Sequence, residues 1–334
     1  MSDLGLGVID QYDISVLRTL KGRGATILET EQGYKRLMEY KGTPGRLEYM
    51  GSLLDYIYGH GLKQVDIILK NKEGSLLSTD ECGDKYIITD WFYGNECDVK
   101  SKNNVKEGAA LLARLHNITA AGFKDYFNES SKAPPISIPA TNNLLVEYEK
   151  HNHELKRARV YIRGRKHKSQ FEYNVLNNLD EYLSYATEAT AKLLNSDYET
   201  LERAAIDKGC ICHGNYNYHN IIFSKNKVAI VNFEKSGSGV LIKDLYLYFR
   251  KVMEKYDWES AIGHEIIDTY NSVRPIPSNE YELLKIMLMY PEKFWKLVNH
   301  YYNSNKAWIP DKNLEKINKV CYQQKRKEEF ISHM

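Results

Sequence analysis

The sequence has few cysteines, no long hydrophobic run and no strong excess of charge of either sign. Its five cysteines among 334 residues are sparse and odd in number, which favours a reducing compartment over a disulfide framework. No apolar run approaches the roughly 18 residues of a membrane helix, and no basic segment followed by an apolar stretch opens the chain. We therefore expect a protein that is made and kept in the cytoplasm, without a membrane span.

Charge and composition exclude a further class. Lys and Arg number 46 and Asp and Glu number 44, which leaves a net charge of +2. The chain as a whole therefore lacks the basic excess that is typical of nucleic-acid-binding proteins, and no nucleic-acid partner is expected. Hydrophobic residues make up 43% and charged residues 27%, an ordinary globular composition. The length suffices for one large domain or two lobes.

The two parts of the chain carry different patterns. Near the start, a glycine turn at Gly22–Leu28 enters a strand, Tyr34–Tyr40 is the returning strand, and Pro44–Gly59 has helical spacing. From Val105 onward the pattern is mainly helical. The sequence therefore predicts an α+β fold with a small β-rich lobe over residues 1–93 and a large, mainly helical lobe over residues 94–334.

Helices are expected throughout the second part. Three prolines make Pro134–Asn143 a loop. Apolar spacing then predicts helices at Leu144–Ile162, Glu172–Leu194 and Tyr198–Lys208. These elements lead to the segment that carries the candidate chemistry.

That segment is a predicted hairpin with polar residues at its open end. Ile221–Phe223 and Val228–Val231 are short apolar runs joined by a polar turn. The residue that enters the first strand and the residue that leaves the second meet at the open end, so Asn220 and Asn232 should be neighbours. The loop His213–His219 should fold over them. Phosphoryl transfer needs such a polar cluster to orient a hydroxyl and to hold Mg²⁺.

The residues of this cluster resemble a known active site. HGNYNYHN (His213–Asn220) resembles the HGDxxxxN catalytic loop of the aminoglycoside phosphotransferase/choline kinase superfamily, which has a protein-kinase-like fold. VNFE (Val231–Glu234) resembles the metal-binding segment (I/V)D(F/W)(E/D) of the same superfamily. Asp244 resembles the aspartate that begins a core helix and braces the catalytic loop.

Within that superfamily the chain is most similar to the CotS-type spore coat proteins. The likeness covers nearly the whole chain and includes the segments KGRGATILET, DWFYGNECDVK, LLARLHN, HELKRARVYIR and YPEKFWKLVNHYYNSNKAWIP. It implies a two-lobed kinase-like fold, spore coat proteins as partners, and synthesis in the mother cell followed by deposition on the spore coat. It also implies ATP and Mg²⁺ as cofactors.

Three departures fall where the chemistry is done. Asn215 stands at the catalytic aspartate, and an amide cannot act as a general base, a loss that typically costs about 10²–10⁴ in rate. Asn232 stands at the metal-bridging aspartate, although Mg²⁺ prefers anionic oxygen. Met38 stands where the nucleotide-contacting lysine is expected. These replacements count against both cofactors.

The resemblance assigns the remaining site residues. At the metal, Asn220 and Glu234 join Asn232 in a degenerate Mg²⁺ site. At the nucleotide, the candidates are Gly22 and Gly24 over the phosphates, Met38, its expected helix partner Glu48, and Asp90 and Phe92 on the strand leading to the hinge. Lys35, Arg36 or Lys41 could each substitute for the missing lysine, and the sequence leaves this choice open.

Histidines could offer other chemistry in the same loop. His213 and His219 could form a metal pair, but no third ligand stands nearby. His213 is therefore interpreted as a structural residue that bonds the backbone of the loop. His116 is interpreted as a packed histidine at a helix end.

Two further segments are candidate contact surfaces. Seven cations fall within residues 156–168, namely Lys156, Arg157, Arg159, Arg163, Arg165, Lys166 and Lys168. They form either a solvated helix face or a docking surface for spore coat proteins or an acidic glycan. The aromatic segment Tyr290–Pro310, with Phe294, Trp295, Tyr301, Tyr302 and Trp308, is either helical core or a cleft wall.

Two functions follow from these observations. The first is a kinase-like spore coat protein that has lost catalysis, a pseudokinase with a structural or assembly role. The alternative is a residual small-molecule or sugar phosphotransferase that uses ATP. The retained Asn220, Glu234 and Asp244 favour the alternative. The replacements at Met38, Asn215 and Asn232, together with the basic run over residues 156–168, favour the pseudokinase.

Overall fold

The computed structural model describes residues 5–22, 24–130, 138–225, 227–303 and 310–334. Within these ranges the strands are β1 (Val16–Gly22), β2 (Ala25–Thr30), β3 (Gly33–Glu39), β4 (Ser78–Thr79), β5 (Lys85–Asp90), β6 (Asn95–Glu96), β7 (Ile211–Cys212), β8 (Ile221–Ser224), β9 (Lys227–Ile230) and β10 (Gly237–Ser238). The α-helices are α1 (Pro44–Gly59), α2 (Lys102–Thr119), α3 (Phe123–Ser130), α4 (Leu144–Gly164), α5 (Gln170–Leu194), α6 (Tyr198–Lys208), α7 (Ile242–Met253), α8 (Ser260–Val273), α9 (Ser278–Met289), α10 (Glu292–Asn303) and α11 (Pro310–Ser332). The predicted α+β class is confirmed.

The chain divides into two compact units. The first comprises Met1–Ala140 and Ala205–Asp244, and the second comprises Thr141–Ala204 and Leu245–Met334. The N-terminal sheet and the segment that resembles a catalytic loop therefore belong to the same unit. The predicted division at residue 93 groups them differently and stays a prediction. No helix in the described part of the chain combines the length and apolar character needed to cross a bilayer.

An antiparallel sheet in the order β1-β2-β3-β5-β4 forms the start of the first unit. Its tight turns depend on glycine at positive φ, because a side chain there is strained. Gly24 has φ 66° in the β1–β2 turn, and Gly33 has φ 98° where β3 begins. Gly22 ends β1 and pairs with Ala25. Arg23, between the two predicted phosphate-covering glycines, lies outside the described residues.

Strand β3 separates its side chains onto two faces, because successive residues of a strand point to opposite sides. Leu37 is buried in one apolar cluster, and Lys35 shares its face. Arg36 and Met38 lie on the opposite face. The cluster around Leu37 also contains Val8, Tyr12, Leu28 and Ile88.

The predicted hairpin is present and continues the same unit. Strands β8 and β9 are antiparallel, with Ile221 opposite Ile230, and β6 pairs with the other edge of β8. Phe92 packs against the buried side chains Ile222, Ala229 and Val231. Asn226, in the predicted turn, lies outside the described residues.

The second unit is helical and has its own apolar core. Helices α4, α5, α10 and α11 contribute buried side chains to it, including Leu155, Ile162, Phe171, Val175, Leu179, Tyr182, Phe294 and Ile317. The predicted helices at Leu144–Ile162 and Glu172–Leu194 are confirmed with small shifts at their ends. The predicted loop is confirmed over residues 138–143. Its earlier prolines, Pro134 and Pro135, and Trp308 of the aromatic segment lie outside the described residues.

Candidate functional site

Asp244, near the start of α7, holds the loop that resembles a catalytic loop. Its carboxylate accepts hydrogen bonds from the backbone N–H of His213 (2.6 Å) and Gly214 (2.9 Å). His116 Nε2 lies 3.3 Å from the same carboxylate. Burial alone would raise the pKa of Asp244, but hydrogen bonding and the charge interaction with His116 hold that pKa below its ordinary value. The bracing role predicted for Asp244 is confirmed.

His213 is structural, as predicted. Its Nε2 donates to the backbone oxygen of Val231 (3.1 Å), and its Nδ1 accepts from the backbone N–H of Asn215 (3.2 Å). Burial lowers its pKa, which favours the neutral ring that this pattern requires. His219 instead contacts Glu96. Among the described residues no group of three or more His, Cys, Asp or Glu could hold a metal.

Three asparagines form a continuous chain of hydrogen bonds, which we call the amide cluster (Asn215, Asn220 and Asn232). Asn232 Nδ2 donates to Asn220 Oδ1 (2.7 Å), and Asn220 Nδ2 donates to the backbone oxygen of Asn215 (2.9 Å). The predicted proximity of Asn220 and Asn232 is therefore confirmed. Arg36 begins the chain, because its Nη1 donates to Asn232 Oδ1 (2.8 Å). A guanidinium only donates, so it fixes which end of the Asn232 amide faces it.

A buried carboxylate that sequence reasoning missed lies beside this chain. Asp66 is 3% exposed, and its Oδ2 accepts from the backbone N–H of Asn232 (2.9 Å) and from Arg36 Nη2 (3.3 Å). Burial raises the pKa of Asp66 to about 6, although Arg36 opposes the rise. Its Oδ1 is buried and has no hydrogen-bond partner among the described residues. The available signal was one aspartate within the apolar run Val65–Leu69.

Asn232 itself has a backbone conformation that few residues adopt. Its φ of 69° and ψ of 59° place it in the left-handed region, which Asn and Asp tolerate better than other side chains. The hydrogen bond from its N–H to Asp66 supports this conformation. Asn232, at the position predicted to bridge a metal, is therefore held by both its backbone and its side chain.

Helix α1 contacts the same segment through a residue that was not predicted. Arg46 Nη2 donates to the backbone oxygens of Glu234 and Ser236, at 2.6 Å each. Glu48, the expected partner of the missing lysine, is exposed, and its side chain makes no hydrogen bond or ion pair with the described residues. The Glu234 side chain is also exposed. Arg46, not Glu48, therefore links α1 to the predicted metal-binding segment.

The structure distinguishes the three cations that could replace the lysine at Met38. Arg36 shares the face of Met38 and reaches Asn232. Lys35 forms an ion pair with Asp90 (2.5 Å), a candidate nucleotide residue. Lys41 pairs with Glu39 on the surface (3.2 Å). Arg36 is therefore the candidate among the three that contacts the amide cluster.

These residues fit a Mg²⁺ ion poorly as they stand. Mg²⁺ requires oxygen ligands, preferably anionic, in near-octahedral geometry. The Oδ1 atoms of Asn220 and Asn232 are neutral and already accept hydrogen bonds. The guanidinium of Arg36, a fixed positive charge, lies against Asn232.

Comparison with solved structures defines the class of fold. An aminoglycoside phosphotransferase from Alicyclobacillus acidocaldarius is similar, with a TM-score of 0.84 and 17% identity over 97% of this chain and 93% of that one. Spectinomycin phosphotransferase APH(9)-Ia has a TM-score of 0.60 and 13% identity over 95% and 92%. The predicted kinase-like phosphotransferase fold is confirmed.

Comparison with sequence families assigns the chain to a family within this fold class. The chain belongs to the family described as "Spore coat putative kinase YutH", whose model matches residues 7–334. Spore coat protein S of Bacillus subtilis is 22% identical over 315 residues, which are 94% of this chain and 87% of that protein. The chain is thus a kinase-like member of a spore coat family, and the predicted resemblance is confirmed.

Proposed function

We propose that this protein is a pseudokinase with a structural or assembly role in the spore coat. The proposal joins its family membership to the chemistry of the amide cluster. Asn215 offers no general base, and Asn220 and Asn232 offer neutral ligands in place of a metal site. A fold that keeps its brace at Asp244 but lacks these groups is suited to binding and assembly rather than to phosphoryl transfer.

One observation carries the proposal. Arg36 donates to the Asn232 oxygen that would otherwise be available to a cation, and Asn232 donates to the corresponding oxygen of Asn220. Each amide oxygen keeps a second lone pair, but a Mg²⁺ ion on the Asn232 oxygen would lie close to the positive guanidinium of Arg36. In a partly buried site this repulsion is strong, so the guanidinium would have to move before a metal could bind.

We therefore expect purified protein to show no rise in melting temperature with Mg-ATP and no transfer of γ-phosphate to sugars or aminoglycosides. A ligand present at 100 times its dissociation constant adds about 2.7 kcal/mol to the stability of the native state, so nucleotide binding would be visible in a thermal-shift titration. ATP without Mg²⁺ and an active phosphotransferase of the same fold serve as controls. Transfer at ordinary kinase rates that is lost in Asn220→Ala would contradict the proposal.

A second candidate, a residual ATP-dependent phosphotransferase acting on a small molecule or sugar, is favoured by Asp66. This carboxylate lies against the backbone of Asn232, and its Oδ1 has no hydrogen-bond partner in the part of the chain that the structure describes. It could supply an anionic ligand beside Asn232 if it released Arg36. In that case Asp66→Asn should abolish phosphoryl transfer, whereas a pseudokinase has no transfer to lose.

The proposed role includes synthesis in the mother-cell cytoplasm and deposition on the coat, with coat proteins or an acidic glycan as partners. The cations of residues 156–168 are only partly available for such contacts. Arg159 and Arg163 both pair with Asp180 (2.8 and 3.1 Å), and Arg165 pairs with the buried Glu172 (2.9 Å). The two pairs with Asp180 join α4 to α5, and the third joins the residue that follows α4 to α5. All three support the solvated-face interpretation for these arginines.

Three other cations of the same run are exposed and form no ion pair with the described residues. They are Lys156, Arg157 and Lys166, and we call them the free cations. Changing all three to glutamine should weaken association with isolated spore coats without lowering the melting temperature, because no intramolecular ion pair is lost. Salt should weaken the wild-type association, since the screening length falls from about 10 Å at 0.1 M to about 3 Å at 1 M.

A matched control removes the same charge elsewhere in the second unit. Lys312, Lys316 and Lys325 of α11 are exposed, and their replacement by glutamine should leave coat association unchanged. Co-sedimentation of labelled protein with isolated coats measures both variants. Equal losses in the two variants would assign the effect to net charge and reject the free cations as the contact surface.

A further inference from the structure

A groove between α4 and α10 brings together the basic run and the aromatic segment. Its volume is about 450 Å³, within the roughly 300–1,000 Å³ of small-ligand sites. Buried Leu155, Ala158 and Val298 form its apolar floor. The walls come from helix positions three or four residues apart, which share a face. They are Glu154, Arg157 and Tyr161 on α4 and Trp295, Asn299 and Tyr302 on α10.

The aromatic wall is held in place by its neighbours. His151 stacks on Trp295 with ring centroids 3.3 Å apart, and Trp295 Nε1 donates to Glu154 Oε2 (2.7 Å). Tyr161 meets Tyr302 edge to face at 5.4 Å. Phe294 of the same segment instead stacks on Tyr182 in the core of the second unit. The segment therefore supplies both core and groove wall.

Polar groups with spare bonding capacity line the same groove. Asn303 Nδ2 donates to Asn299 Oδ1, which leaves the Asn299 amide NH₂ and the Asn303 oxygen without partners among the described residues. Trp295 donates to Glu154 Oε2, and Glu154 Oε1 has no hydrogen-bond partner among the described residues. The Arg157 side chain is exposed and forms no ion pair with the described residues. The groove thus offers donors, acceptors and one unneutralised guanidinium.

We propose that this groove binds an acidic saccharide, a sugar ring that carries a carboxylate. Aromatic side chains present apolar surface to the C–H face of such a ring, and amide and carboxylate groups bond its hydroxyls. Arg157 pairs with the sugar carboxylate, because guanidinium and carboxylate match in charge and geometry. The limited volume favours one or a few sugar rings over a protein surface. This inference rests on the proposed role in the spore coat in one respect, which is that the coat partner is an acidic glycan.

The test compares glucuronate with glucose, two sugars that differ in the carboxylate. Saturation-transfer NMR and isothermal titration with the full chain should show glucuronate binding at least about tenfold tighter than glucose, as expected for a charge-assisted hydrogen bond. Arg157→Gln should remove this preference, and Trp295→Ala should weaken the binding of both sugars. Lys312→Gln, which removes an exposed cation of α11 outside the groove, should change neither. The melting temperature of each variant shows whether it is folded.

Equal affinity for glucose and glucuronate, or an undiminished preference in Arg157→Gln, would overturn the assignment. Hexaglutamate that binds as tightly as glucuronate and competes with it would also overturn it, because the groove would then recognise acidic peptides. These measurements use free sugars and no nucleotide or coat material. Failure here is therefore distinct from failure of the pseudokinase proposal, which phosphoryl transfer tests.

Discussion

Replacing Arg36 with methionine should lower the free energy of unfolding by about 3–5 kcal/mol at neutral pH. The guanidinium is the charged partner of Asp66, and both side chains are almost fully buried, at 11% and 4% exposure. Removing one partner of a buried ion pair leaves the other charge uncompensated in a low-dielectric environment. The change also removes the donor to Asn232. Urea denaturation at fixed ionic strength measures the loss.

The loss should depend on pH in a defined direction. The pKa of Asp66 is about 6 in the folded protein and about 3.9 in an unfolded chain. Between these values the folded state binds more protons, so this group's contribution to stability falls as pH rises through that window. Arg36 lowers the pKa of Asp66, so Arg36→Met should raise it further. The penalty should therefore be smaller at about pH 5, where Asp66 takes up a proton, than at neutral pH.

Two variants control for other causes. Lys41→Met removes a cation from the same region, but its pair with Glu39 is exposed, so it should cost less than about 1 kcal/mol. Arg36→Met combined with Asp66→Leu removes both charges and should recover much of the loss. A penalty in Arg36→Met that is below about 1 kcal/mol, or the same at both pH values, would show that the pair is not buried as described.

The sequence predicted the parts of the site that local patterns determine. A hairpin brings its two open ends together whatever surrounds it. The sequence could therefore predict that Asn220 and Asn232, which are twelve residues apart, lie side by side. The bracing by Asp244 followed from the family motif. Both predictions rest on residues close in the chain or on a resemblance that covers it.

The parts that depend on tertiary packing could not be predicted in this way. Asp66 is 166 residues from Asn232, and Arg46 is 188 residues from Glu234, so no local periodicity connects them. The twofold alternation of β3 places Lys35 and Arg36 on opposite faces. Which face meets the amide cluster is decided by the core behind Leu37.

The number of cations in residues 156–168 also predicts the surface of the folded protein only in part. A count of cations predicts a positive surface, but it does not show that Asp180 and Glu172 of α5 neutralise three of the arginines. Helix packing therefore reduces a run of seven charges to a smaller set available to partners. The same packing places Arg157 opposite the aromatic residues of α10.

Restoring the missing catalytic groups should produce the largest functional change. The variant Met38→Lys, Asn215→Asp and Asn232→Asp returns a phosphate-contacting cation, a general base and a metal ligand. With a base worth about 10²–10⁴ in rate, we expect Mg-ATP-dependent transfer or hydrolysis at least about 10²-fold above wild type. Arg36→Gln is a useful fourth change, because the guanidinium would otherwise pair with the new carboxylate at position 232.

The same variant should lose stability without metal. At position 232 a carboxylate oxygen would replace the Nδ2 that now donates to Asn220 Oδ1 at 2.7 Å, so two acceptors would face each other. The new carboxylates at positions 215 and 232 would also repel. We expect a loss of about 1–3 kcal/mol in EDTA and its recovery when Mg-ATP is added. Thermal shifts with and without EDTA measure both.

Asn217→Asp is the matched control, because it makes the same change from amide to acid within the loop. Asn217 caps the turn at His219 and bonds Asn215, and the family motif assigns it no metal. It should gain neither phosphoryl transfer nor a response to Mg-ATP. If wild type gains as much stability from Mg-ATP as the restored variant does, the protein binds nucleotide by other groups. Met38, Asn215 and Asn232 would then not be the lost catalytic positions.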